Sequence, residues 1–235
     1  MNYIEPVLLT ELKEADYESL IRHRVRNILM ICSNYDAFIL EEDGQIETQI
    51  YKEYIELNLS NPPKFVWVTT SAQAHEILEQ RHDIDMVISM FNMGDKDVFS
   101  LASGLKASGR NIPFVLLTHF SKEVYRRLSL QDTSGIDYMF SWHGNADLIV
   151  AIVKLFEDKM NAEHDILDVG VQAILLVEDS VRYYSTYLPE LYKMVLKQSA
   201  EFLKETLNEQ QRKGRKRSRP KILLANNLDE AMELY

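Results

Sequence analysis

Short apolar runs alternate with amphipathic stretches over the first 160 residues of the chain. The runs are four to six residues long, which is typical of buried parallel strands. They cover Asn27–Cys32, Phe65–Val68, Met86–Ser89, Ile112–Leu117 and Ile136–Phe140. The stretches between them repeat apolar positions at helical spacing, over Gln45–Leu59, Ser71–Arg81, Asp97–Ser108, Ser121–Leu130 and Asn145–Met160, with Ser71, Ser121 and Asn145 as candidate N-caps.

Five β/α repeats of this kind predict an α/β fold with a doubly wound, five-stranded parallel sheet. Apolar spacing between Leu8 and Ile21 predicts a helical lead-in over residues 1–25. We therefore assign the first unit to residues 26–162, followed by a polar linker at 163–171.

The pattern restarts in a second unit, residues 172–235. Its predicted elements are a strand at Gln172–Val177, a long helix at Val181–Gln211 containing Pro189, a strand at Lys221–Ala225 and a short helix at Leu228–Tyr235 capped by Asn227. A β-α-β-α unit of two strands cannot bury its own sheet. We expect this unit to be the front part of a second domain, cut from a longer protein or packed on a partner.

The chain has a net charge of −10, but basic residues cluster between Arg212 and Lys221. Because the rest of the chain is strongly acidic, general nucleic-acid binding is not expected. The patch is interpreted either as a solvated loop or as an anion-binding site formed by Arg212, Lys213, Arg215, Lys216, Arg217 and Arg219. No apolar run of membrane-spanning length and no leader pattern occurs, so a cytoplasmic location without membrane partners is expected.

Two adjacent carboxylates, Glu178 and Asp179, follow the first strand of the second unit. Ligands gather at the carboxyl ends of strands in open parallel sheets, and paired carboxylates can share Mg²⁺. The alternative interpretation is an acidic cap at the N-terminus of the next helix.

The segment Ile174-Leu175-Leu176-Val177-Glu178-Asp179 resembles the first strand and acidic pair of two-component receiver domains, and Arg26 to Met160 resembles a receiver as well. In the first unit, the resemblance places Cys32 and Ser33 at the acidic pair, Met90 at the phosphoacceptor, Thr118 at the switch hydroxyl and Ser141 at the lysine position. Only Thr118 matches, so the resemblance implies a pseudo-receiver without a cofactor, followed by a receiver that binds Mg²⁺ when complete.

Methionine and aromatic side chains cluster at the same strand ends of the first unit. Such residues form adaptable recognition surfaces or pack at a domain edge. The candidates, which we expect to be exposed, are Met90, Phe91, Met93, His119, Phe120, Trp142 and His143. The partners that the receiver resemblance implies are a sensor kinase or downstream domains of the same polypeptide.

At a closer level, Tyr35–Glu41, Phe140–Leu148 and Val171–Arg182 are similar to the N-terminal region of large bacterial proteins related to phosphoenolpyruvate synthase and pyruvate phosphate dikinase. That resemblance implies a regulatory front end of a phosphotransfer protein. No Gly-rich phosphate loop occurs here, so no enzymatic activity is assigned to this chain.

Two other hypotheses remain open. A flavodoxin-like cofactor enzyme needs a phosphate-binding first loop, but residues Cys32 to Gly44 contain one glycine and four acidic residues, Asp36, Glu41, Glu42 and Asp43. A scaffold could instead form a homodimer through the helix at 181–211, whose second half extends beyond an ordinary receiver.

Overall fold

The computed structural model describes residues 21–33, 46–56, 59, 61–91, 97–119, 124, 126, 128, 130–204 and 219–234. The first sheet contains β1 (Asn27–Ile31), β2 (Lys64–Val68), β3 (Met86–Met90), β4 (Phe114–Thr118) and β5 (Tyr138–Ser141). All neighbouring strands are parallel, in the order β2-β1-β3-β4-β5. This is the flavodoxin-like doubly wound order, and the predicted fold class is confirmed.

Helices cover both faces of the first sheet. The described ones are α1 (Ile46–Glu56), α2 (Ser71–Gln80), α3 (Asp97–Ala107) and α4 (Ala146–Ala162). One apolar cluster joins the sheet to α1 and α4, and another joins it to α2 and α3. Asn145 caps α4 as predicted, whereas α2 is capped by Thr70 rather than Ser71, because the Thr70 hydroxyl accepts a hydrogen bond from the amide of Gln73 at 3.2 Å. Most of the predicted helix at 121–130 lies outside the described residues.

The second unit contains β6 (Ala173–Val177), α5 (Val181–Lys204), β7 (Lys221–Ala225) and α6 (Leu228–Leu234). β6 and β7 pair in parallel as a separate two-stranded sheet. Asn227 caps α6 as predicted, since its side-chain oxygen accepts from the amide of Glu230 at 2.8 Å. No helix among the described residues is both long enough and apolar enough to cross a membrane.

Helix α4 is buried on nearly all sides because it lies between the two units. Every residue from Leu148 to Asp158 is buried, and α4 packs on α1 of the first unit and on α5 and β7 of the second. A single apolar cluster includes Phe140, Leu188 and Ile222. The second unit therefore packs its sheet on the first unit of the same chain, whereas the sequence predicts a domain cut from a longer protein or packed on a partner.

A set of fully paired charges lies where α4 meets β7. Arg219 binds both carboxylate oxygens of Asp158, at 2.9 and 2.7 Å, and Lys221 binds Asp165 at 2.8 Å. Asp158 also accepts hydrogen bonds from the Tyr192 hydroxyl at 2.9 Å and from the amide of Ile222 at 3.0 Å. All four charged residues are buried, with Lys221 and Asp165 at 0% exposure.

The surroundings of Lys221 and Arg219 shift the pKa values of these two cations in opposite directions. Burial, reinforced by the nearby Arg219, lowers the pKa of Lys221. Burial also acts to lower the pKa of Arg219, but contact with Asp158 outweighs it and raises that pKa. Since an unpaired buried charge is far more costly than a paired one, these contacts fix the position of β7 on α4.

The predicted helical lead-in is wrong over residues 21–26, which are not helical. The amides of Ile21, His23 and Val25 donate instead to side chains spaced four residues apart along the helix, namely Asp165 at 3.3 Å, Asn161 at 2.9 Å and Glu157 at 3.2 Å. Every second amide of residues 21–25 therefore reaches every fourth side chain along the helix, whose rise over four residues is about 6 Å. Residues 1–20 lie outside the described part of the chain.

The predicted polar linker also has a different structure. Residues Glu163–Asp168 form a π-helical turn that continues α4, and Asp165 within it is completely buried. The carboxylate of Asp165 contacts Lys221, the ring of His164 and the amide of Ile21. Asp165 and His164 supply these contacts, whereas Glu163 and Asp168 are exposed. The domain boundaries on either side of the segment stay predictions.

We predict that Asp158→Asn destabilises the whole described fold, because it leaves Arg219 buried without its counter-charge. The expected loss in the free energy of unfolding is about 3–5 kcal/mol, measured by urea denaturation. Asp83→Asn is the matched control, since the Asp83–Arg81 pair lies at the surface and should contribute little. Equal effects of the two substitutions would contradict the role given to Asp158.

We also predict that stability falls above pH 10. Burial raises the pKa of Tyr138 to about 12 and raises the pKa values of Tyr54, Tyr184 and Tyr192 further still. Tyrosines of the unfolded chain ionise near pH 10, so this stabilisation is complete below pH 10 and is lost as pH rises, by about 1 kcal/mol per tyrosine at pH 11.

The lowered pKa of Lys221 acts in the opposite direction, but it is one group against four tyrosines. The measurement is urea denaturation at pH 9, 10 and 11, with Tyr54→Phe expected to reduce the loss. Stability that stays level or rises over this pH range would refute the prediction.

Candidate functional site

The predicted receiver-type positions of the first unit do meet at one edge of its sheet. The strand register places Ile31 beside Ser89, Met90 beside Leu117, and Thr118 beside Ser141. Cys32 follows directly after β1, and its amide donates to the Val68 carbonyl at 3.1 Å. The carboxyl ends of β1, β3, β4 and β5 are therefore adjacent, as expected for a doubly wound sheet.

The side chains at this edge carry thiol, thioether and hydroxyl groups. Cys32, Met90, Thr118 and Ser141 are all buried, and Ser33 is partly exposed. The Thr118 hydroxyl donates to the carbonyl of His119 at 3.3 Å, and the Ser141 hydroxyl lies 3.1 Å from Nε2 of His143. None of these side chains supplies a carboxylate oxygen to accept a phosphoryl group or to hold a hard cation.

Two residues predicted to be exposed at this edge are buried. Trp142 is 4% exposed and Met90 is 8% exposed, because both belong to the apolar cluster under α4. His119 and His143 are exposed, as expected. Phe91 is partly buried and packs edge-to-face on Phe99 with ring centres 6.1 Å apart. Met93 and Phe120 lie outside the described residues.

Helix α5 of the second unit binds the outer edge of β5, next to these positions. The amide of Ser141 donates to the Ser185 hydroxyl at 2.9 Å, and the Tyr184 hydroxyl donates to the Met139 carbonyl. Phe140 and Tyr184 pack edge-to-face with ring centres 5.4 Å apart. Lys193 of the same helix pairs with Asp147 at the start of α4. The outer edge of β5, one of the two edge strands of the first sheet, is thus covered by α5 of the same chain.

The acidic pair of the second unit lies at the end of β6. The amide of Glu178 donates to the Ala225 carbonyl at 3.0 Å, which places Glu178 beside the end of β7. One Glu178 carboxylate oxygen accepts from the amide of Ser180 at 3.0 Å, just before α5 begins. Asp179 is exposed. This geometry fits the helix-cap interpretation and leaves Asp179 accessible to a cation.

Asn226 follows β7 at the same edge, and its side-chain oxygen is buried without a hydrogen-bond donor. Oxygen ligands from Glu178, Asp179 and Asn226 match the preference of Mg²⁺, which usually keeps several water ligands. The described residues contain no cluster of three or more acidic, histidine or cysteine side chains that could hold a metal. The described residues at this edge therefore do not form an assembled metal site, and Mg²⁺ binding by Glu178 and Asp179 stays a prediction.

The predicted anion-binding patch loses one member. Arg219 is buried and bound to Asp158, so it is not available to an external anion. Arg212, Lys213, Arg215, Lys216 and Arg217 lie outside the described residues. For the same reason, the acidic residues between Cys32 and Gly44 cannot be placed relative to a cofactor.

A groove of about 590 Å³ lies between α2 and α3. Leu78, Leu101 and Leu105 contribute apolar surface to it, with His82 and Arg110 among its polar residues. Arg110 is already bound to the carbonyls of Leu78 and Arg81 at the end of α2. None of the candidate site residues from the sequence lines this groove, although the predicted cap Ser71 does.

Sequence reasoning missed the residues that join the two units. Asp158 and Asp165 are seven residues apart, a spacing that puts two acids on one face of a helix. Arg219 and Lys221 flank Pro220 at the start of an apolar strand. Lys221 is the first residue of a strand that is otherwise apolar. A lysine at such a position could have indicated that its charge has a buried partner.

Comparisons with known proteins give a fold likeness. No family model matches the chain, and no curated protein matches it. Among solved structures, the chain is similar to the signal receiver domain of an HD domain-containing protein from Pseudomonas fluorescens Pf-5. The identity is 17% and the TM-score is 0.39, over 60% of this chain and 97% of that domain. The assignment of the doubly wound fold rests on the strand order and register described above.

Proposed function

We propose that this chain is a regulatory signalling module without enzymatic activity of its own. In this proposal the first unit is a pseudo-receiver that serves as a docking scaffold, and its nearest partner is the second unit of the same chain. The observation that carries the proposal is the binding of Tyr184 and Ser185 to the β5 edge. This contact occurs beside Ser141, where a receiver would have its lysine.

The chemistry of the first unit supports an inert scaffold. Phosphotransfer to a receiver needs an acceptor carboxylate and a cation held by further carboxylates. At the carboxyl ends of β1 and β3, the corresponding positions hold Cys32, Ser33 and Met90 instead. Thiol, thioether and hydroxyl groups can pack in a core, but they are poor ligands for Mg²⁺.

The second unit would supply the responsive part. Glu178 and Asp179 would hold Mg²⁺ when a complete receiver site is assembled around them, and the cation would then neutralise charge on an incoming phosphoryl group. Helix α5 starts three residues after Glu178 and reaches β5 at Ser185. A change at the acidic pair would therefore reach the first unit through one turn of helix.

The proposed context is a larger polypeptide in which this chain is the front end of a phosphoenolpyruvate- or pyruvate-binding phosphotransfer protein. It would take its signal from a sensor kinase or from downstream domains. Homodimerisation through α5 is the second candidate, since Tyr183, Tyr187 and Met194 form an exposed apolar stripe on that helix. The rings of Tyr183 and Tyr187 stack with centres 6.0 Å apart.

The docking of α5 is tested by Ser185→Ala, which leaves the amide of Ser141 buried without an acceptor. We expect a loss of about 1–3 kcal/mol in the free energy of unfolding and increased acrylamide quenching of Trp142 in a Trp67→Phe background. Thr186→Ala is the matched control, because Thr186 is exposed and its hydroxyl donates to the Arg182 carbonyl of its own helix. Similar results for Ser185→Ala and Thr186→Ala would count against docking through this contact.

The inert acceptor site is tested with a small phosphodonor and Mg²⁺, read by intact mass. We expect no gain of a phosphoryl group, because position 90 offers a thioether and not a carboxylate. A gain that maps to the first unit and is removed by hydroxylamine would reveal an acyl phosphate on another carboxylate, and the pseudo-receiver assignment would then be wrong.

A further inference from the structure

The groove between α2 and α3 has an apolar floor and the size of a small-molecule site. Its floor consists of Leu78 and Leu105, which are buried, and Leu101, which packs on the same apolar cluster. Its volume of about 590 Å³ lies within the range of ligand pockets, roughly 300–1,000 Å³. Helices α2 and α3 cover one face of a sheet whose five strands are all described, so the groove is a property of the first unit itself.

One wall of the groove is kept open by a glycine. Gly104 lies in the interior of α3 and is exposed to the groove. A β-carbon at this position would meet no atom within 4 Å, so close packing does not explain the glycine. Glycine inside a helix costs stability, because it loses more conformational freedom on folding than any other residue. The absence of a side chain at Gly104 leaves space above the floor for a bound molecule.

Arg110 places a fixed positive charge at one end of the groove. Its Nη1 atom donates to the Leu78 carbonyl, and its Nη2 atom donates to the Arg81 carbonyl at 3.1 Å. A guanidinium carries five N–H groups, so these two contacts orient the group and leave donors for a ligand. Within the described residues, no carboxylate forms an ion pair with Arg110.

The charge of Arg110 is not neutralised by its surroundings. The carbonyl end of a helix carries about half a negative charge, which is less than the full positive charge of the guanidinium. The acidic side chains near this end of α2 have other partners, since Glu79 lies 3.4 Å from His75 and Asp83 binds Arg81 at 2.7 Å. An anion that reached Arg110 would therefore gain a charge-assisted hydrogen bond.

The walls of the groove favour an apolar chain over an extended peptide. Both walls are helices, whose amides and carbonyls bond within the helix, and the Ser108 hydroxyl donates to the Leu105 carbonyl at 2.7 Å. An extended peptide in this groove would leave much of its backbone without hydrogen-bond partners, which costs free energy. An apolar chain with one anionic end has no such groups, and it matches a groove with an apolar floor and one fixed cation.

We propose that the groove between α2 and α3 binds a small apolar monocarboxylate of the fatty-acid type, with its carboxylate on Arg110 and its apolar chain on the leucine side chains of the floor. The site lies on the opposite face of the first sheet from α4 and the second unit. It therefore depends neither on Mg²⁺ and phosphorylation nor on the docking of the second unit. Such a ligand would give the first unit an input of its own.

The test is calorimetric titration of the full chain with octanoate and, separately, with octanol, which has the same apolar chain but no charge. We expect saturable binding of one octanoate per chain and weaker binding of octanol. Arg110→Gln should weaken octanoate binding by about tenfold or more, because a charge-assisted hydrogen bond is lost, and should leave octanol binding unchanged. Arg26→Gln is the matched control, since it removes the same charge from an exposed residue outside the groove.

A second variant blocks the groove without weakening the fold. Gly104→Leu should abolish the binding of both octanoate and octanol by filling the space above the floor. Its urea midpoint should stay level or rise, because leucine is a better helix former than glycine and the β-carbon has room.

The proposal is overturned if octanoate shows no saturable binding, or if Gly104→Leu leaves its binding intact. Equal affinity for octanoate and octanol would mean that Arg110 does not hold the carboxylate. Tighter binding of a peptide that ends in two leucines and a free carboxylate would make the groove a peptide site instead.

Discussion

The buried pairing of Arg219 and Lys221 with Asp158 and Asp165 is the interaction on which the arrangement of the two units depends. It joins the start of β7 to the end of α4 through charges that are almost completely buried. A hydrophobic contact could tolerate a shift along α4, whereas a buried ion pair is costly to separate. The ion pairs therefore define one register of the second unit on the first, and the apolar contacts fill the remaining space.

Several features of the molecule follow from that register. With β7 held on α4, Tyr138 reaches the Leu224 carbonyl, and α5 lies along β5 where Tyr184 and Ser185 bind its backbone. We propose that the first unit acts as a scaffold because its sheet edge is engaged in this contact and its strand ends lack carboxylates.

Much of the fold could be predicted from the sequence because it depends on local periodicity. The strands of both units, the caps at Asn145 and Asn227 and the burial of β3 and β4 follow from patterns of a few residues. The contacts of Asp158, Asp165, Arg219 and Lys221 could not be predicted, since ion pairs 56 and 61 residues apart leave no local pattern.

The incorrect predictions have the same cause as the missed residues, which is that long-range packing leaves no local sequence pattern. Trp142 was expected at the surface because it follows a strand end, but α4 and the second unit cover that end. The polarity of residues 163–171 predicts a linker, but Asp165 within this segment is buried and binds Lys221 and the amide of Ile21. At the candidate site, the chemical groups could be predicted from the receiver resemblance, whereas their burial depended on how the units pack.

Native-state hydrogen exchange of the Ile222 amide tests the central claim most directly, because this amide donates to the Asp158 carboxylate across the junction. If the two units share one core, Ile222 exchanges only through global unfolding, with the same free energy as Leu29 in β1 and Ile88 in β3. Exchange of Ile222 through an opening of lower free energy, with Leu29 and Ile88 still protected, would mean that the second unit separates from the first and would contradict the account.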